Sequence, residues 1–156
     1  MKLSTIQILL LRLALGGLFL HLGMGKINEG WLVNPQHLQE SLNSLHQKAA
    51  GPQLMYLDNV AIPYAGIWSK LIATGETAVG ISLLIGFLVR FSSAVALFMV
   101  INFHTATGNL FSLNFFGSPY AALLVAALLV AFLSRAGRWA GIDALLTKVN
   151  PKGMLW

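Results

Sequence analysis

Cysteine is absent from this chain. Disulfide frameworks, thiolate metal sites, CxxC redox chemistry and cysteine nucleophiles are therefore excluded together. Charge is almost as scarce. Charged residues make up 10% of the 156 positions, where a soluble domain carries roughly a quarter. Ten Lys and Arg and five Asp and Glu are too few to cover a water-exposed globule of 16.9 kDa. Disorder is excluded from the other side, because it needs low hydrophobicity and high charge. Here 56% of the residues are hydrophobic and the mean hydropathy is +0.72. The net charge of +5 does not point to nucleic acid, since the basic residues are scattered singly and no run or stripe of them could track phosphates. No internal repeat and no low-complexity tract is present. What remains is one domain that lives in a membrane.

Four apolar runs carry that reading. The first, 3–25, is broken only by Arg12. An arginine inside the apolar stretch, with no small-x-small cleavage site after it, argues against a secretory signal. At ~1.5 Å per residue the run can cross a ~30 Å hydrocarbon core. Further spans are expected at 63–89, 91–111 and 117–135, with Arg90 closing the second and the turn residues Asn114, Gly117, Ser118 and Pro119 opening the fourth. Between the first two, 27–62 is more polar. Asn34-Pro35 opens a helix in which Leu38, Leu42 and Leu45 recur at helical spacing, Gly51-Pro52 stops it, and Leu54 to Leu57 form a short companion. A further amphipathic piece (Ile142, Leu145, Leu146, Val149) precedes Asn150-Pro151. The expected fold is all-α: an integral membrane four-helix up-and-down bundle with an outer amphipathic segment.

Orientation follows from the Lys and Arg distribution. With a cytoplasmic N-terminus, Lys2, Arg90, Arg135, Arg138, Lys148 and Lys152 fall inside and only Lys26 and Lys48 outside. Both termini are then cytoplasmic. Trp31, Tyr64 and Trp68 form an outer interfacial belt, and Trp139 sits at the inner face.

Ionisable groups in hydrocarbon are costly, about 2.5–3.5 kcal/mol for a central Arg or Asp on lenient scales. Arg12 and Glu76 each lie near the middle of a span. Their depths match, so an Arg12–Glu76 pair is expected, with Gly16, Gly23 and Lys26 beside Arg12 and Ser69, Ala73 and Gly80 beside Glu76. Two roles stand open for it: a strut that fixes helix register, or a proton-linked carboxylate held by an arginine. Lys26, Lys70, His104 and Asn102 would line an outward-facing mouth above the pair and bind substrate there. Each has a plainer reading, Lys70 as a snorkelling side chain and His104 as a packed, hydrogen-bonded residue. His21 points away from Arg12.

The segment Arg12-Leu-Ala-Leu-Gly-Gly-Leu-Phe-Leu with Gly25-Lys26, followed by Gly75-Glu76 and by Val79-Gly80-Ile-Ser-Leu-Leu-Ile-Gly86-Phe-Leu-Val-Arg90, resembles the DoxX/DoxD membrane family. The long outer segment and the region Asn102-Phe-His104 resemble its DoxD branch, the membrane subunit of thiosulfate:quinone oxidoreductase. The resemblance implies a multi-pass protein of the prokaryotic cytoplasmic membrane, oxidation of thiosulfate to tetrathionate with a quinone as electron acceptor, and a second small subunit as partner. Glu76 and Arg12 would then be the catalytic pair. The other partners expected are membrane lipid and a homo-oligomer; no nucleic acid, metal or haem is expected. Three further functions compete: a non-catalytic scaffold or assembly partner of a redox complex, a small-molecule or proton-linked carrier, and a b-haem protein with His21 and His104 as axial ligands.

Overall fold

The computed structural model describes residues 3–112, 119–138, 140–150 and 153. Lys2, Asn114, Gly117, Ser118, Trp139, Pro151 and Lys152, used above for topology and turns, lie outside the described residues. All regular structure described is helical: α1 (Leu3–Asn28), α2 (Gln36–His46), α3 (Gly51–Tyr56), a π-helical turn (Leu57–Ala61), α4 (Ala65–Ile85), α5 (Val89–Ala106), a 3₁₀ turn (Asn109–Phe111), α6 (Pro119–Leu133), a second 3₁₀ turn (Ala136–Arg138) and α7 (Ile142–Val149).

The all-α class is as expected, but a four-helix membrane-spanning bundle is not what forms. Among the described residues there are seven α-helices, and only two stretches, Thr5–Asn28 and Val89–Ala106, are long and apolar enough to cross a membrane. The physical reasons differ by element. α4 has 21 residues but carries Lys70 and Glu76 among glycines, serines and threonines, which dilute its apolar character. α6 is apolar throughout but has 15 residues, or ~22 Å of rise against a ~30 Å core. The expected span 91–111 is cut short at Ala106, where Gly108 (φ 76°) turns the chain. The second span ends at Ile85, because Gly86 (φ 69°) closes α4 in the left-handed region and Leu88 (φ 49°) repeats that conformation two residues later. Val89 and Arg90, expected at the close of the second span, open α5 instead.

α1 and α4 form the most extensive helix pair. Gly16 faces Leu84, Gly80 faces Leu20 and Gly23 faces Thr77. The absence of a side chain at Gly80 and Gly23 lets the two backbones meet, as small residues do in membrane helix packing. A Cβ at Gly80 would overlap the Leu20 backbone nitrogen, and one at Gly23 the Thr77 backbone nitrogen, whereas one at Gly17 would meet nothing. Gly80→Ala should therefore cost about 1–3 kcal/mol, the usual range for overpacking, and Gly17→Ala should be near neutral. Thermal unfolding in detergent checks this; equal losses at both positions would remove the close contact from the account.

A core of Leu15, Phe19, Val79, Leu83, Val89, Ala96, Val100, Leu128, Ala131 and Ala136 joins α1, α4, α5 and α6. A second core, Leu42, Leu57, Ala61, Ala65 and Ala106, seats the α2–α3 segment where α4 begins and α5 ends. There Asn34 Oδ1 accepts from the Gln36 N–H at 3.0 Å, so the expected helix start is real, one residue later than read. Gly51-Pro52 begins α3 rather than stopping α2, which ends at His46. His46 Nε2 lies 2.8 Å from Asp58 Oδ1 and ties α2 to the π-helical turn.

Candidate functional site

Two charged clusters sit at different levels of the helical core. The first is built by the last turn of α1 and by the row Ser69, Ala73, Glu76 and Gly80, which α4 turns toward α1. Lys26 Nζ lies 2.6 Å from Glu76 Oε2, with the two side chains 20% and 13% exposed. Such a short contact is a charge-assisted hydrogen bond, stronger than a neutral one. The chain then folds back over it. Trp31 N donates to Lys26 O at 3.1 Å, and the Trp31 ring centre lies 5.6 Å from Lys26 Nζ in a cation–π arrangement. Trp31 is held from both sides: its Nε1 donates to Glu29 Oε2 at 2.9 Å, and its carbonyl accepts from Ser69 Oγ at 2.7 Å. Lys26 spends one of its three donors on Glu76 and keeps others for a second oxygen.

The second cluster holds Arg12, which is 3% exposed, and Asp143, which is fully buried. Arg12 Nη1 donates to Ala136 O at 3.2 Å. Asp143 does the work of a helix cap at a distance: Leu88 N donates to its Oδ1 at 2.6 Å and Val89 N to its Oδ2 at 2.9 Å. α5 has no capping side chain of its own, so the carboxylate from α7 satisfies two of its first N–H groups. The Asp143 N–H returns a bond to Gly86 O at 2.9 Å. Burial raises the Asp143 carboxyl above its ordinary value; the bonds from Val89 and Leu88 and the charges of Arg12 and Arg138 oppose the rise. Gly86 and Gly141 pack against the guanidinium, and a Cβ on Gly86 would come 2.7 Å from Arg12 Nη1.

The expected Arg12–Glu76 pair is thus replaced by Lys26–Glu76 and by Arg12 beside Asp143. The helix faces were read correctly, since Gly16 and Gly23 do meet α4 and Ser69 and Ala73 are buried. The register differs. The contacts of Gly16, Gly23 and Gly80 place Arg12 opposite Leu88 and Glu76 opposite Met24, so Arg12 and Glu76 are separated along the helices.

The remaining residues of the expected mouth disperse. Asn102 Oδ1 accepts from Tyr56 OH at 2.8 Å, and beside it Gln53 Nε2 donates to Ala106 O at 3.0 Å, so both bonds fasten α3 to α5. Burial raises the Tyr56 phenol, with the Asn102 bond opposing. His104 is 8% exposed and its ring meets Phe103 edge-on at 5.4 Å. Lys70 is exposed, in a separate groove with Val33, Pro35, Tyr64 and Ile67. His21 is exposed on α1.

Residues 7–107 match the family model DoxX. The chain belongs to the DoxX family. The matched stretch runs from α1 through α5 and includes Arg12, Lys26, Glu76, Asn102 and His104. No curated protein and no solved structure matches. As a DoxX-family chain with two helices fit to span, the protein is membrane-associated.

Within this DoxX protein the two clusters differ in what they can do. Lys26 and Glu76 keep part of their surface open and combine a cation with a proton-accepting carboxylate. Arg12 and Asp143 are closed in and bond to backbone. Asp143 lies beyond the matched stretch and was missed in the sequence. Its only signal was an acid in the first turn of a short helix just after Gly141, a weak one because its partners are backbone groups more than fifty residues away.

Proposed function

We propose that this DoxX protein is the membrane subunit of a quinone-linked redox system of the thiosulfate:quinone oxidoreductase kind, with Lys26 and Glu76 as its charged centre. The observation that carries the reading is the mostly buried but still accessible Lys26–Glu76 pair beneath Trp31, near the end of a helix able to span the membrane. In the balanced reaction two thiosulfates join through a new S–S bond as tetrathionate and release two electrons; a quinone takes these with two protons and leaves as quinol. Lys26 attracts the dianion and offers donors to an anionic oxygen. Glu76 takes up a proton and passes it on at Oε1, the oxygen that Lys26 does not contact, with the lysine leaving Oε2 for the substrate anion during the transfer.

The residues present suit a quinone. An apolar groove of about 440 Å³ lies between α4 and α5, lined by Ile81, Ile85, Phe91 and Val95; the hydroxyls of Ser82 and Ser92 in its wall bond to each other, and that of Ser82 also to Phe87 O. It reaches Gly75, the neighbour of Glu76. Such a groove suits the apolar body of a quinone, and a polar contact to its head would need Ser82 or Ser92 to exchange its present partner. The bound quinone would supply the two-electron acceptor. The second reading, a non-catalytic scaffold of a redox complex, is favoured by the lack of cysteine, which leaves the chain no thiolate relay. Reconstituted with its candidate partner subunit, the chain should reduce a quinone on addition of thiosulfate. No thiosulfate-dependent reduction overturns the redox reading and leaves the scaffold.

The proposed topology is multi-pass with both termini cytoplasmic. Asp143 fixes α7, and with it Lys148, to the start of α5 and Arg90, while Lys26 and Lys48 belong to the opposite end. Single cysteines at Ser44 and at Lys148 should react with an impermeant thiol reagent from opposite sides of sealed vesicles. Reaction from one side refutes the arrangement.

A further inference from the structure

α7 is an eight-residue helix, ~12 Å long and far too short to span a bilayer. Its sides are chemically distinct. Asp143 is fully buried and bonds to Leu88 N and Val89 N, so this side faces the protein. On another side, Ile142, Leu145 and Val149 stand 39%, 62% and 86% exposed, at the i, i+3, i+7 spacing of a single helical stripe. Lys148 is exposed between the two.

The depth of this stripe is fixed by covalent and hydrogen-bonded geometry. Asp143 bonds to Leu88 N and Val89 N, and Val89 is the first residue of a helix able to span. The first turn of α7 is therefore held at the level where α5 enters hydrocarbon. A helix at that level, apolar on one side and carrying a lysine at the stripe's edge, matches an interfacial amphipathic helix and the negative charge of lipid phosphates.

We propose that α7 is a lipid-docking element, with Ile142, Leu145 and Val149 seated in the headgroup–acyl boundary of the leaflet where α5 begins and Lys148 reaching to lipid phosphate. The site is independent of Lys26 and Glu76, so it stands or falls apart from the redox reading.

The cysteine-free background permits a direct test on the full chain. Single cysteines at Leu145, Val149 and Lys148 carry an environment-sensitive fluorophore, and the protein is reconstituted in phosphatidylcholine vesicles with and without phosphatidylglycerol. The Leu145 and Val149 probes should be quenched by lipids spin-labelled high on the acyl chain and be about tenfold less sensitive to aqueous iodide than the Lys148 probe. Phosphatidylglycerol should strengthen the lipid quenching at Leu145, and Lys148→Gln should abolish that increase. Val149 guards against misfolding of the Leu145 variant. Iodide-accessible probes at both Leu145 and Val149 overturn the proposal. So does protection from both quenchers, which would put protein over the stripe, and so does lipid quenching that vanishes as the vesicles are loaded with more protein, which would put a second copy there. An unchanged signal with phosphatidylglycerol overturns the assignment of Lys148 to phosphate.

Discussion

Asp143→Ala should lower stability in detergent by on the order of 3 kcal/mol, because the buried N–H of Val89 and the part-buried N–H of Leu88 lose their acceptor, at about 1–3 kcal/mol for a fully buried donor. The acceptors are not replaceable locally: Leu88 sits in the left-handed region and offers α5 no capping side chain. Water reaches the site poorly, since Asp143 is fully buried and Arg12 is 3% exposed. A second part of the loss falls on Arg12, left in an enclosed site without a nearby negative charge. Asp143→Asn should be milder, as its carbonyl oxygen still accepts one N–H while its amide group faces the other. Arg12→Met combined with Asp143→Ala should lose less than the two single losses added, with a coupling of about 0.5–3 kcal/mol for groups in one network. Simple additivity would separate Arg12 from Asp143. A near-wild-type melting temperature for Asp143→Ala would remove the tertiary cap altogether.

That cluster marks where the sequence stopped being legible. Long apolar stretches announced α1 and most of α5, and the side of each helix that meets its neighbour could be read from glycines and small residues. The position of the turn between α4 and α5, expected at Arg90 and formed at Gly86 to Leu88, could not. Val89 and Arg90 continue the apolar pattern of what precedes them, and the reversal depends on Leu88 adopting φ 49°, a conformation a leucine does not advertise. The Arg12–Glu76 expectation rested on equal depth in two spans, which assumes that their ends align. The close approach at Gly23 and Gly80 sets another register, and it brings the α1 lysine rather than the arginine to Glu76. Charge complementarity was a sound guide to the need for a partner and a poor guide to which partner. In the outer segment the turn at Asn34 that leads into α2 was readable because its bond is local, although Pro35 and not Asn34 is the cap residue; the bonds of Tyr56 to Asn102 and of Gln53 to Ala106 span 46 and 53 residues and leave no pattern in the chain.

The same register decides what substitutions at the charged centre should do. If Lys26 and Glu76 form the working pair, Glu76→Gln should reduce the rate of thiosulfate-dependent quinone reduction by about 10²–10⁴-fold, the range for losing a positioned proton-transfer group. It should also flatten the pH profile. Lys26→Met should act chiefly on the thiosulfate KM and weaken the dependence of rate on ionic strength, because the screened attraction for the dianion is gone. Lys70→Met should have a modest effect, since Lys70 stands exposed in its own groove; a loss as large as that of Lys26→Met would restore Lys70 to the anion site. A merely structural pair behaves otherwise. Its single variants would melt earlier, the double variant Lys26→Met with Glu76→Gln would recover part of the loss, and the rate per folded molecule would stay at the parental level. Rate and stability measured on the same four proteins therefore separate the two roles: rate losses that persist in a double variant of restored stability establish a working role for the pair, and rates that return with stability reduce it to a strut between α1 and α4.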